Sequence, residues 1–208
     1  MLRRFILFGT TLGVLLAFSA AAKAQEWEAY RREVTLQGTG FFTKNSDGNG
    51  ISRTTTDTGG FLGGFRYRFS PWVAVEGNYG YARNTQNFLT PARAYGVQAD
   101  THQITGAFVL TPPVSVAKLR PYILAGTGAL IFDPTDNNQG DIVNLTDTQS
   151  KAVFVYGGGV DYDLVRHVSL KLEYRGLVFK SPDFDFKSLD LDTVTHVAQP
   201  SAGITIRF

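Results

Sequence analysis

Cysteine is absent from all 208 residues, and with it go disulfides, thiol catalysis, thiolate metal sites and a lipid-bearing N-terminal cysteine. An excess of either charge is absent too. Arg3, Arg4 and Lys23 are the only charges in residues 1–24, so the rest of the chain has 20 − 3 = 17 basic against 18 acidic residues, a net of −1. That balance removes the basic patch on which nucleic-acid binding depends. Beyond residue 24 no apolar run approaches the ~20 residues a membrane-spanning helix needs, and no 3.6-residue periodicity is sustained. Should this chain enter a membrane, it must do so as a closed sheet, because only helices and barrels satisfy their own backbone in lipid. Glycine (22), Phe (16) and Tyr (9) are plentiful, a composition unusual for a soluble domain of this size.

The N-terminus carries a secretory signature. Arg3 and Arg4 precede an apolar run from Phe5 to Ala20 and the small-residue stretch Ala22-Lys23-Ala24, the pattern of a signal peptide cut before Gln25. The expected organisation is a cleaved signal over 1–24 and a single domain over 25–208.

Alternation of period two runs through that domain. Strands are expected over Glu33–Thr43, Asp57–Phe69, Trp72–Arg83, Asp100–Leu110, Arg120–Phe132, Ala152–Asp163, Val168–Lys180 and Thr193–Phe208. The segment Arg120–Phe132 is the least regular, since Ile123 and Ile131 fall on the parity opposite to Tyr122, Leu124 and Leu130. In the last strand Val194, His196, Ala198, Pro200, Ala202, Ile204, Ile206 and Phe208 share one side. Pro200 cannot donate to a ladder, so a bulge or a locally open pairing is expected there. Loops are read at Lys44–Thr56, Asn84–Ala99, Asp133–Lys151 and Ser181–Asp192, with short connections at Ser70-Pro71, Thr111–Leu119 and Leu164–His167.

Eight strands joined long, short, long, short, long, short, long fit an antiparallel up-and-down transmembrane β-barrel, apolar outside and polar inside, with both termini on the short-turn, periplasmic side. A soluble lipocalin-like barrel would follow the opposite face rule. The aromatics Phe69, Trp72, Tyr122, Tyr162 and Phe208 near the short turns, and Tyr79, Tyr81, Phe132, Phe154 and Phe179 near the long loops, are expected to form two interfacial girdles.

With this topology the sequence resembles the small eight-stranded outer-membrane β-barrels, the family of the OmpA transmembrane domain, OmpX and the opacity proteins. The segments Arg120-Pro-Tyr-Ile-Leu-Ala-Gly-Thr-Gly128, Tyr156-Gly-Gly-Gly-Val-Asp161 and Leu172-Glu-Tyr-Arg-Gly176 are similar to recurrent strand phrases of that family. The resemblance covers essentially the whole of 25–208. It implies residence in the bacterial outer membrane, and it makes Ile204, Ile206 and Phe208 a C-terminal signal read by the barrel-assembly machinery.

Inward-facing charges by parity are Glu33, Arg66, Arg68, Glu76, Asp161, Lys171, Glu173, Arg175 and Arg207. An eight-stranded barrel is just wide enough to be filled by its own side chains, so these nine are expected to interlock as a plug in the periplasmic half. Above them Thr101, Gln103, Thr105, Thr127, Thr193 and Thr195 suggest a polar upper interior. Glu76 and Glu173 read better as scaffold than as a catalytic acid–base pair. His102 and His196, near Asp100 and Asp192, are the candidates for a lipid-modifying centre, but no nucleophile stands at an interpretable spacing. Gly126-x-Gly128 and Gly157–Gly159 are not followed by helices and so are not phosphate loops. Asn45–Gly50 lacks the closing Glu of a calcium loop. The aspartates of the long loops read as solvated turn residues, or more weakly as contacts through divalent cations to the anionic outer leaflet or an external partner. No cofactor or metal is expected; the partners are outer-membrane lipids, the assembly machinery and a possible external ligand at the loops. The expected function is a non-enzymatic, charge-plugged barrel that anchors four external loops for envelope integrity or surface interaction. The alternatives are a small passive channel and a lipid-modifying enzyme.

Overall fold

The computed structural model describes residues 30–44, 46–48, 51–89, 94–112, 118–135, 148–180 and 194–208. The expected signal peptide, Thr193, Asp192 and most of the loop aspartates lie outside them. Ten strands follow in chain order: β1 Arg32–Thr43, β2 Ser46–Gly48, β3 Ile51–Thr55, β4 Thr58–Arg68, β5 Val73–Leu89, β6 Ala94–Leu110, β7 Leu119–Pro134, β8 Gln149–Val165, β9 Val168–Lys180 and β10 Val194–Arg207. Eight of them close an antiparallel barrel in the order β1-β4-β5-β6-β7-β8-β9-β10, with β10 returning to β1. The remaining two, β2 and β3, form a hairpin where a loop is expected, and β3 pairs with the upper end of β5.

Hydrogen-bonded partners followed once round the barrel run Glu33, Arg66, Glu76, Ala107, Gly126, Val155, Leu177, Val197 and return to β1 at Thr43. The sheet therefore closes with a stagger of 43 − 33 = 10 residues. Stagger and strand number together fix the tilt and the radius, and a barrel this narrow has a lumen filled by side chains.

Outward positions are apolar until the extracellular end. On β9 they run from Val168 to Val178 before Lys180, ten residue steps. At ~3.3 Å per residue and a tilt of ~35–45° that is about 25 Å, the height of an outer-membrane apolar band. Lys44, Asp57, Arg83, Asp100 and Asp133 end the band on other strands. Phe69, Trp72, Tyr162 and Phe208 stand exposed at the periplasmic rim, with Tyr79 and Phe154 exposed higher up and Tyr81 half-buried beside them.

Three expectations about the strands need correction. The polar stretch 84–99 is mostly strand, since β5 and β6 pair continuously from Val73↔Leu110 to Leu89↔Ala94. Here the outward face carries Arg83, Thr85 and Asn87 and the inward face carries the buried Asn84 and Gln86, so polar residues stand on both faces and the apolar alternation disappears while the ladder continues. Tyr122, Phe132 and Phe179 are not in the girdles; all three are buried in the lumen, at 3, 3 and 5 % exposure. Thr127 in turn faces out, its hydroxyl donating to the Val153 carbonyl. The phase of β7 is fixed by Tyr122, Leu124, Leu130 and Phe132 pointing inward.

At Pro200 the β1–β10 ladder is locally open. Thr39↔Ser201 and Phe42↔Ala198 are paired in one register, the two steps between them are not, and the Thr39 hydroxyl donates to the Pro200 carbonyl at 3.1 Å. The register irregularity lies elsewhere, between Asp163 and Val165 at the β8–β9 turn.

Candidate functional site

The lumen is layered, and its lowest layer is ionic. Inward alternation puts Glu33 on β1, Arg66 and Arg68 on β4, Glu76 on β5, Asp161 on β8, Lys171, Glu173 and Arg175 on β9 and Arg207 on β10, all of them buried. Glu76 is the hub. It accepts from Arg66 Nε at 2.6 Å, from Arg175 Nη2 at 2.5 Å and from Lys171 Nζ at 3.3 Å. β5 and β9 stand four strands apart in the ring of eight, so the Arg175 and Lys171 bonds cross the lumen.

Glu173 takes Arg175 Nε at 2.6 Å and Lys171 at 3.6 Å. Glu33 takes Arg68 at 2.8 Å, Arg207 at 3.3 Å and Arg66 at 3.6 Å. Asp161 faces Arg66 at 3.6 Å from the opposite wall. Every one of the nine charges thus has an opposite charge within 4 Å, and the network spans the lumen in two directions. Such an arrangement adds little net stability, because desolvation offsets the Coulombic gain, but removal of one member is costly.

Sequence reasoning missed three members of this layer. Tyr122 donates to Glu173 Oε2 at 2.6 Å, and both Arg66 and Lys171 stack on its ring, 4.5 and 5.2 Å from the centroid. It fits because Gly159 leaves it room: a Cβ there would meet the phenol. Arg120 and Asp163 close the periplasmic mouth, paired at 3.2 Å, with Arg207 reaching Asp163 at 2.8 Å. The signal for Tyr122 is its parity with Leu124 and Leu130, which an apolar run on both faces of β7 conceals.

Above the charges lies a layer of amides and hydroxyls. Gln199 Nε2 donates across the lumen to Gln103 Oε1 at 2.9 Å and Ser201 donates to Gln37 at 2.9 Å, while Thr35 and Thr205 share a 3.0 Å bond lower down, among the charges. Above that the interior turns apolar, which corrects the expectation of a polar upper half. Thr101, Gln103, Thr105 and Thr195 are buried and inward, but they are outweighed by Phe41, Leu130, Phe132, Val153, Leu177, Phe179 and Val197. The Phe132 and Phe179 rings pack at 5.8 Å between centroids. A shallow cup with about 330 Å³ of empty space, its open mouth included, sits over this layer, floored by those rings and rimmed by Thr43, Thr55, Asn84 and Gln86.

On the outer surface His102 and His196 are each engaged by a tyrosine. His102 Nδ1 and the Tyr79 hydroxyl are 2.8 Å apart, and His196 Nε2 and the Tyr156 hydroxyl 2.9 Å. Tyr156 reaches His196 by lying across Gly176 on the intervening strand. Asp100 does not bond to His102; it is held by Arg83 at 2.5 and 2.8 Å and by Tyr81 at 3.0 Å. This group lies above the apolar band, and the hydrogen bonds from Arg83 hold the Asp100 carboxyl below its ordinary range, against a smaller opposing effect of burial. His167 sits apart in the β8–β9 turn, edge-on to Tyr30. Among the described residues no cluster of His, Asp and Glu has the form of a metal centre. Ile204, Ile206 and Phe208 are exposed on the outward face of β10.

Residues 10–199 match the family model of the outer membrane protein β-barrel domain. Among solved structures, the outer membrane protein OprG from Pseudomonas aeruginosa is similar at a TM-score of 0.60 and 14 % identity, over 86 % of this chain and 97 % of that one. The Neisserial surface protein NspA is similar at 0.59 and 15 %, over 85 % and 97 %. The outer membrane protein AlkL follows at 0.51 and 14 %, over 86 % and 90 %. At these identities the likeness is one of fold. No curated protein matches the sequence.

Proposed function

The chain belongs to the outer membrane protein β-barrel family, and from that premise we propose that it is a non-enzymatic barrel of the bacterial outer membrane whose interior is plugged and whose body anchors extracellular loops for envelope integrity or surface interaction. The observation that carries this reading is the pair of seals in series. Glu33, Arg66, Arg68, Glu76, Asp161, Lys171, Glu173, Arg175 and Arg207 interlock across the periplasmic half. Phe41, Leu130, Phe132, Leu177 and Phe179 fill the lumen above them. A hydrated ion would have to part both, and each buried pair it opened would leave charges unpaired.

A catalytic role has little to work with. The carboxylates Glu76 and Glu173 are saturated by cations, and His102 and His196 face the lipid side with tyrosine hydroxyls on the nitrogens described above. In this reading Ile204, Ile206 and Phe208 act as the signal that the assembly machinery reads, and outer-membrane lipids cover the apolar band. The test is conductance of the purified, folded protein in planar bilayers. Occasional brief events at most are expected; sustained ion-conducting openings would replace the plug with a passive channel.

A further inference from the structure

We propose that the arc of the periplasmic rim running from β1 to β7 by way of β10, β9 and β8 is a docking surface for the headgroup of an anionic glycerophospholipid of the inner leaflet. The surface centres on Arg166 at the tip of the β8–β9 turn, with Arg32 on one side and Lys118 on the other. All three residues are exposed. Backbone bonds place them in order along the rim. Arg32 and Phe208 exchange two, at 3.2 and 2.9 Å, the Arg207 amide donates to the His167 carbonyl at 2.8 Å, and the Asp163 amide donates to the Lys118 carbonyl at 3.1 Å. Continuing the β9–β10 register one step past His167 brings Arg166 to the far flank of Phe208. With neighbouring strands ~4.8 Å apart, Arg32 and Arg166 stand about 10 Å apart at Cα, within the joint reach of two arginine side chains.

Charge on this arc is one-sided. Its acidic side chain, Asp163, is already held by Arg120 at 3.2 Å and by Arg207 at 2.8 Å. Among the described residues no carboxylate pairs with Arg32, Lys118 or Arg166. Outside the plug, and leaving aside Arg31, which is engaged, Arg32, Lys118, Arg120 and Arg166 stand against Asp163 and a carboxylate at Phe208, an excess of 4 − 2 = +2. The other short connections, Phe69–Trp72 and Thr111–Ala117, contain no charge. A general adaptation to headgroups would ring the barrel, whereas here the cations share one side of it. Lys118 also has a φ of 69°, in the left-handed region that glycine adopts without strain. The turn thus carries a cation where a relaxed residue would carry none.

Apolar side chains stand among these cations. Leu164 and Val165 in the β8–β9 turn are 45 and 61 % exposed, and Phe208 between Arg32 and Arg166 is 54 % exposed. Leu164 continues the outward face of β8 two residues beyond Tyr162, below the aromatic girdle. A turn that meets only water is ordinarily polar, and a soluble polyanion would use the cations alone. A phospholipid uses both kinds of group. Its glycerol and first methylenes lie against Leu164, Val165 and Phe208, and its phosphate accepts from the guanidinium fork of Arg166, a geometry arginine matches with two parallel bonds. The inference goes beyond the plug: it rests on the short turns facing the periplasm and stands whether or not the barrel conducts.

The test is native mass spectrometry of the full chain refolded into a neutral detergent, with phosphatidylglycerol or phosphatidylcholine of the same acyl chains added at equal concentration. One phosphatidylglycerol per barrel should be retained, well above phosphatidylcholine. Arg166→Gln should weaken that binding roughly fivefold, and Arg166→Gln with Lys118→Gln roughly 25-fold. Arg83→Gln, at the extracellular rim, should leave it unchanged. Equal retention of the two lipids, an undiminished affinity in the double variant, or an equal loss in Arg83→Gln overturns the proposal. Displacement of the lipid by glycerol phosphate at equal concentration also overturns it, since the cations alone would then make the site. Arg32→Gln replaces Lys118→Gln if the double variant does not attain the folded form.

Discussion

The two halves of the lumen are closed by opposite chemistry. The periplasmic half is filled by charges that satisfy one another, whereas the extracellular half is filled by Phe, Leu and Val. The ionic half is specific but gains little net stability, because each carboxylate and guanidinium is stripped of water before it is paired. The apolar half gains less specificity, and its fit depends on filled volume. Together they teach that a narrow barrel can be sealed by pairing or by packing, and that the two seals should fail in different ways.

The largest effect is expected from Glu76→Leu, which strips Arg66, Lys171 and Arg175 of a shared carboxylate. A loss of about 3–5 kcal/mol or more in urea refolding is expected. Adding Arg175→Leu should recover part of it, with a coupling of about 0.5–3 kcal/mol; a double variant no better than the sum of the singles would contradict the network. Phe132→Ala tests the other half. About 3 kcal/mol should be lost through the cavity, and because no charge is orphaned, a second substitution of a charge should restore nothing.

Gly159→Ala is expected to cost about 1–3 kcal/mol by overpacking, since the added methyl meets the Leu172 carbonyl of the neighbouring strand and the Tyr122 phenol in the ionic layer. Tyr122→Phe combined with it should not relieve the cost, because the ring and the Leu172 carbonyl stay. The smallest effect belongs to the rim outside both halves. Asp100 has its carboxyl lowered by the Arg83 hydrogen bonds. Its contribution is therefore present above the ordinary carboxyl pKa of ~3.9 and is lost as pH falls through the lower folded value. Carbon-detected titration should place Asp100 below ~3.9, and Arg83→Gln should return it upward.

Much of this was legible in the sequence. Arg66, Glu76, Lys171, Glu173 and Arg175 lie within apolar strands, and a charge in a membrane strand has only the lumen to face. The strand count and the rhythm of connections follow from the same alternation. What failed did so mostly where that alternation carries no information. Tyr122 and Phe132 were assignable to either face, because both faces of β7 are apolar. Phe179 shares the parity of Lys171, Glu173 and Arg175, and only its place beside a long loop argued for the girdle. The run 84–99 read as loop because polar residues stand on both faces of its ladder, Asn84 and Gln86 inward and Arg83, Thr85 and Asn87 outward. Which cation meets which carboxylate was not legible either, because Arg175 to Glu76 depends on two strands standing opposite in the closed ring.

The most direct measurement uses the absence of cysteine. Thr105→Cys places a single thiol between the two seals, and Ser150→Cys places one at the extracellular rim. With a charged, water-soluble thiol reagent the account predicts rapid labelling at 150 and none at 105 in the folded barrel, with both labelled after unfolding in urea. Labelling of Thr105→Cys at a rate comparable to the rim would show a continuous water path, and the paired seals would not exist.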